Sequence, residues 1–378
     1  MFLDQVAAPA HGPRARISPH RHSRVPPPAA RLKGYRPVTR RSLESGRKGL
    51  WLDWNEATRP PSRRVFERLA AFLSRGGIHR YPDPSASKLR RGLAAYTGRP
   101  VRQIQVFNGS DAALEHVVRT FVRRDDHVVV CAPSYDHFRV FGEALGAQVE
   151  MVRSPRPFRA DVDHLLTRVR PETRLVYVGN PDNPTGRTYT ARQLARIARR
   201  LESGLLVVDE AYHEYWGRTA AGLIDRHENV VVSRSFSKAF ALAGLRCGYL
   251  LGRESVLRQV DRIRNGKEVN ALAQVAASAA LEDLPAMRAW VAEVRRARTL
   301  LVRELRARGH EVVPSPANFV LLRADTAGTL VRRLRRRGVH VRDRAGVPGL
   351  GPYVRVTVGT RDECRLFLTA LDAVQART

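Results

Sequence analysis

Short runs of branched apolar residues recur between helix-patterned stretches, and this alternation narrows the possible folds more than any other feature of the chain. The runs are Asp126–Ala132, Gln148–Val152, Arg174–Gly179, Leu205–Asp209, Asn229–Arg234 and Cys247–Leu251. The apolar core of each is continuous, the pattern of strands buried on both faces. Amphipathic stretches at 111–123 and 190–202 lie between them. Such alternation predicts an α/β fold, a mostly parallel sheet covered by helices on both sides. After about Leu281 the pattern changes to a long helix (285–308), a strand Ala317–Leu322, a helix (327–337), strands Val339–Arg342 and Tyr353–Val358, and a last helix. That order predicts a second, smaller α+β domain.

Residues 1–45, rich in Arg, Pro, His and Ala with the run Pro26-Pro27-Pro28, read as a flexible basic extension. The expected division is 46–74 as an N-terminal arm belonging with the small domain, 75–284 as the large domain and 285–378 as the small one. With 378 residues, 43% of them apolar, the chain can bury two cores of ordinary size. No stretch reaches the roughly 18 to 20 apolar residues of a membrane span, and the N-terminus has no secretory apolar core. Cys131, Cys247 and Cys364 are widely spaced, which predicts neither a disulfide framework nor a metal site and suits the reducing cytoplasm.

The net charge is +30, and only five of the 66 basic residues are lysine. A chain so basic invites a nucleic-acid reading. The arginines are spread along the chain rather than gathered in one stripe, and many fall in the helices 288–308 and 330–337, where a solvated face accounts for them. The expectation is biased residue usage with attraction for anionic substrates, and no nucleic-acid partner.

Of four motifs, three sit at the ends of expected strands, where ligands of open α/β sheets bind. Ser235-Phe236-Ser237-Lys238 follows the strand Val230–Arg234; a lysine in a dry, cationic pocket loses its proton and becomes a nucleophile. Arg246 downstream can add a bidentate charge for a phosphate. The plain alternative for Lys238 is a solvated loop lysine, although lysine is scarce here. Asp209-Glu210-Ala211-Tyr212 ends Leu205–Val208, and could as well be an ordinary strand-terminal acid. Asn180 to Gly186 is a turn-forming string that can aim Asn183 at a ligand. Asn108-Gly109-Ser110-Asp111 precedes a helix, with Ser110 as the expected N-cap and free N–H groups that suit an anion.

Taken together and in order, Arg80-Tyr81-Pro82-Asp83, Asn108 to Asp111, Asn180 to Gly186, Asp209 to Tyr212, Ser235 to Arg246, Ala317-Asn318-Phe319 and Arg355 to Thr360 resemble the histidinol-phosphate aminotransferase branch of the fold-type-I enzymes dependent on pyridoxal 5'-phosphate. The resemblance covers Trp51 to the C-terminus and implies the aspartate-aminotransferase fold. It implies Lys238 as the residue that carries the cofactor as a Schiff base and moves the substrate proton, Asp209 opposite the pyridine nitrogen, and Tyr212 and Asn183 at the ring hydroxyl. Ser110, Asp111, Ser235, Ser237 and Arg246 would hold the phosphate, and Tyr135 would stack on the ring. Tyr81 would reach the partner's phosphate in a homodimer with shared sites. Arg355 would clamp the substrate carboxylate, and Arg342 a substrate phosphate, with Arg344 as its rival.

The chain departs from the family pattern at Ala57, at Ala112-Ala113 and at Arg264 to Asn270, all on the substrate side. The expected activity is therefore amino transfer between a small, phosphorylated amino substrate and a keto acid, with the substrate itself open. A decarboxylase of a phosphorylated amino acid, similar to threonine-phosphate decarboxylase, is the first alternative; a regulatory nucleic-acid binder on the same scaffold is the remote one.

Overall fold

The computed structural model describes residues 49–376; the basic extension expected at 1–45 lies outside them. Seven strands form the larger sheet: β2 (Ile104–Phe107), β3 (His127–Ala132), β4 (Gln148–Arg153), β5 (Thr173–Gly179), β6 (Leu205–Asp209), β7 (Val230–Ser235) and β8 (Gly248–Leu251). Their order is β2-β8-β7-β6-β5-β3-β4. From β4 to β7 every pairing is parallel, while β8 runs antiparallel to both β7 and β2.

The continuous apolar runs have a visible cause. Val129, Cys131, Val176, Val178, Leu206 and Val208 enter one buried cluster, and their alternates Val128, Val130, Leu175, Tyr177 and Val207 enter another. Successive side chains of a strand point to opposite faces, so both faces must be apolar. The helices α3 (Gly109–Phe121), α4 (Asp136–Ala144), α6 (Ala191–Arg200) and α8 (Glu254–Asp261) pack around this sheet, together with the short α5 (Val162–Leu166) and α7 (His213–Trp216). Thr190 starts α6 with a capping box closed by Gln193, which satisfies two otherwise orphaned groups.

The second sheet is β1 (Leu50–Leu52), β11 (Val339–Asp343), β12 (Tyr353–Thr357), β10 (Phe319–Arg323) and β9 (Val312–Val313), in that order. Here β1 joins β11 in parallel, so residues far apart in the chain share one small unit. Helices α10 (Leu284–Ala307), α11 (Ala327–Arg336) and α12 (Arg361–Gln375) cover it, while α1 (Arg63–Leu73) and α2 (Ser87–Thr97) pack against α9 (Ala271–Leu281), and α2 also against β2. One apolar cluster runs through both, from Val176 and Leu206 to Val320, Val354 and Phe367.

The expected strands are present with ends moved by a residue or two, and three were not expected: β1, β2 and β9. Ile104–Phe107 carries Gln105 in its short run, which hid the strand. One correction concerns the helix predicted over 111–123. It begins at Gly109, with Asn108 rather than Ser110 at the N-cap and no side chain capping it. Gly109, at φ +87°, turns the chain into the helix early, and Ser110 lies inside the first turn.

Candidate active site

The carboxyl ends of β5, β6 and β7 and the start of β8 converge on one place. Asp209, the last residue of β6, is buried and accepts hydrogen bonds from Tyr177 Oη at 2.9 Å and from the Ala211 N–H at 3.1 Å. Burial pushes its carboxyl up to about 7 even though both donors oppose the shift. Beyond β7, burial and then the positive charge of Arg355 bring the Lys238 amine down to about 8. Its Nζ donates to the carbonyl of Trp54 at 3.2 Å and lies 5.9 Å from the centre of the Tyr212 ring.

A second group forms around the start of α3. Arg246, itself at φ +53°, donates to Asp111 Oδ2 at 3.0 Å and to Ser237 Oγ at 3.4 Å. The Ser237 N–H donates to Ser235 Oγ at 3.0 Å. Tyr135 donates its hydroxyl proton to Asp111 Oδ1 at 2.8 Å, and His137 Nδ1 lies 2.7 Å from the same phenol oxygen. Close backbone approach is built in: a Cβ on Gly109 would stand 2.7 Å from Arg246 Nη2, and one on Gly248 would run into the Ser110 nitrogen. Two hydroxyls, a guanidinium and the free N–H groups of a helix start are the donor set a phosphate requires. An acid at the pyridine end and a readily deprotonated lysine between them complete a set that fits pyridoxal phosphate.

The third group belongs to the smaller sheet. Arg355 on β12 is buried, donates to Asn183 Oδ1 and to the Asp53 carbonyl, each at 2.6 Å, and lies 5.7 Å from the centre of the Phe319 ring. Arg342 on β11 is its registered neighbour, so the two side chains leave the sheet on the same face. Arg344, two residues further on, donates its N–H to the Tyr353 carbonyl, and its charge is felt at the Tyr212 phenol.

Thus the structure gathers Lys238, Asp209, Tyr212, Asn183 and Arg355 around one point, and Ser110, Asp111, Tyr135, Ser235, Ser237 and Arg246 beside it. Tyr81 stays apart: it is 81% exposed, with Lys267 Nζ 4.5 Å from its ring centre. Several neighbours were missed. Tyr177 holds Asp209; it sits on the adjacent strand, and only the β5–β6 register brings the two together. Asn55 donates to Tyr212 Oη at 3.0 Å; it stands two residues before the departure at Ala57, and the sequence alone gives it no role.

Just behind the site, Asp182 and Arg187 form a fully buried ion pair at 3.1 Å. Ser134 and Thr185 also donate to Asp182, and Arg187 donates to the Cys131 carbonyl at 2.9 Å. Through these added hydrogen bonds the pair ties the loop that carries Asn183 to the end of β3.

Residues 47–371 match the family model of aminotransferase class I and II. The chain is 33% identical over 320 residues to a dihydroxyacetone phosphate transaminase of Campylobacter jejuni, covering 83% of this chain and 87% of that protein. It is also 33% identical over 311 residues to a histidinol-phosphate aminotransferase of Thermoanaerobacter pseudethanolicus, covering 82% and 88%. Among solved structures, the histidinol-phosphate aminotransferase of Sinorhizobium meliloti in complex with pyridoxal-5'-phosphate superposes with a TM-score of 0.84 at 28% identity, over 94% of this chain and 99% of that one. The chain belongs to the class I and II aminotransferases, the pyridoxal-phosphate transaminases of fold type I, on the branch that includes the histidinol-phosphate aminotransferases.

Proposed function

We propose that this enzyme moves an amino group between a small phosphorylated amino substrate and a keto acid. One observation carries the substrate reading: Arg342 and Arg355 stand as registered neighbours on one sheet face, and the charge of Arg355 is felt at the Lys238 amine. A keto acid needs one cation for its carboxylate, and a phosphate ester needs a second. In this reading Arg355 takes the carboxylate and Arg342 the phosphate, with Arg344 alongside. Relatives named for histidinol phosphate and dihydroxyacetone phosphate support a phosphorylated partner.

When bound, pyridoxal phosphate supplies an electron sink for the electrons left at the substrate's Cα. The chain's residues do the rest. Lys238, whose amine titrates at about 8, gives up its proton at moderate pH and then carries one at Nζ between substrate positions. Asp209, whose buried carboxyl is pushed up to about 7, would hold a proton at the pyridine nitrogen. Tyr212 and Asn183 would hold the ring hydroxyl, and Tyr135 the face of the ring. Ser110, Asp111, Ser235, Ser237 and Arg246 hold the phosphate. Residues 75–284 hold the cofactor, while 46–74 and 285–378 form the unit that carries the two arginines. Tyr81, being so exposed, completes a partner's phosphate site in a homodimer. Three buried, unlinked cysteines support a cytoplasmic setting.

The test offers the cofactor-loaded enzyme a panel of phosphorylated amino compounds with a keto acid. The expected result is amino acid formed from the keto acid with no carbon dioxide released; carbon dioxide without consumption of keto acid would overturn the proposal in favour of decarboxylation. Borohydride should fix the cofactor on Lys238, and a Lys238→Ala protein that is still fixed elsewhere would remove the lysine assignment.

A further inference from the structure

The turn after β1 meets Arg355, Lys238 and Asn318 with three successive backbone carbonyls. The Asp53 carbonyl accepts from Arg355, the Trp54 carbonyl from Lys238, and the Asn55 carbonyl from Asn318 Nδ2 at 3.1 Å. Asn55 reaches this position at φ +53°, in the left-handed region that asparagine tolerates better than most residues. Its side chain and that of Thr357 are buried, each residue being 1% exposed.

Their hydrogen bonds have a direction. The Asn55 N–H donates to Thr357 Oγ1 at 3.0 Å, and Thr357 Oγ1 donates its proton to Asn55 Oδ1 at 3.1 Å. That exchange turns the Asn55 amide so that Nδ2 faces the Tyr212 oxygen, 3.0 Å away. A phenol oxygen that accepts there has its own proton available for another acceptor. With the amide reversed, the buried Thr357 proton would lose its acceptor.

We propose that Asn55 and Thr357 are positioning residues for catalysis: they hold Tyr212 as an acceptor on one side so that it donates its proton into the site, to the ring oxygen of the cofactor. This rests on the reading of Tyr212 given above. Thr357 lies two residues from Arg355 on β12, so the strand that carries the carboxylate clamp also sets the tyrosine's hydroxyl.

The experiment compares Thr357→Val, Thr357→Ser, Tyr212→Phe and the Thr357→Val/Tyr212→Phe double variant. The principal readout is the pH titration of the bound cofactor's absorbance. A second readout is denaturant unfolding of the cofactor-free proteins, which gives the Thr357–Tyr212 coupling without any turnover. Thr357→Val should move the absorbance titration in the same direction as Tyr212→Phe, lower kcat by about 5-fold with little change in KM for the keto acid, and add nothing when combined with Tyr212→Phe. Thr357→Ser should restore the titration. If Tyr212→Phe shifts the titration and Thr357→Val does not, or if the two effects simply add, the positioning role is overturned while the tyrosine assignment stands. If Tyr212→Phe itself leaves the titration unchanged, both are overturned.

Discussion

At the scale of single residues, burial drives Asp209 and Lys238 toward neutrality from opposite sides, and both shifts carry a cost for the cofactor-free chain. The Asp209 carboxyl titrates at about 7 in the folded protein against 3.8 ordinarily. A group raised in this way contributes stability that is fully present below about pH 4 and is lost as pH rises through 7. Asp209→Asn should therefore raise the melting temperature of the cofactor-free protein at pH 8, by the equivalent of up to roughly 4 kcal/mol. The advantage should fade toward pH 4, and a gain equal at both pH values would count against the assignment. Lys238 has the opposite sign: because its amine is lowered, folded stability rises with pH between about 8 and 10.5. Lys238 and Asp209 drew notice in the sequence because each stands in a motif at or just past a strand end, and Arg355, inside β12, only through the resemblance to a family motif. Asn55 did not: its partners Tyr212 and Thr357 are 157 and 302 positions away, and no periodicity records such contacts.

Among elements, the start of α3 matters most, because it is left uncapped by any side chain and faces Arg246. Gly109→Ala would place a methyl group 2.7 Å from Arg246 Nη2 at a φ of +87°. The expected result is a folded protein whose affinity for pyridoxal phosphate falls by roughly 10- to 100-fold, the loss of one charge-assisted contact. Equilibrium dialysis would measure it, and unchanged affinity would remove α3 from the cradle. The buried strands were legible because both faces of each are apolar. The reversal of β8 was not, since Gly248–Leu251 is equally buried whichever way it runs. The helix start was misjudged for a related reason: Ser110 has the residue type of a cap, while the glycine before it sets the backbone.

For the molecule as a whole, the arginine excess partly serves as clips between elements. Glu282 binds Arg64, Arg68 and Lys88 within 3.1 Å, which joins α1 and α2 to the end of α9 and brings its carboxyl down to about 2. Arg308 and Asp372 join α10 to α12 at 2.9 Å. The charge left over still makes a positive field. For a phosphorylated substrate, kcat/KM should fall severalfold as ionic strength rises from about 0.01 to 0.15 M, where the screening length shrinks from about 30 to 8 Å; an uncharged substrate analogue should show no such slope. Deleting residues 1–45 should leave kcat unchanged. The antiparallel step from β7 to β8 also governs where this chain can be cut. Ser235 and Gly248 face each other in register, so the segment carrying Lys238 leaves the sheet and returns to the same spot, its ends already joined by strand pairing. Opening the chain there, with the original termini linked, would free both ends of the lysine loop at the moment the fold needs them closed. A circular permutant broken between 238 and 246 should fold around the parallel strands yet fail to retain its cofactor.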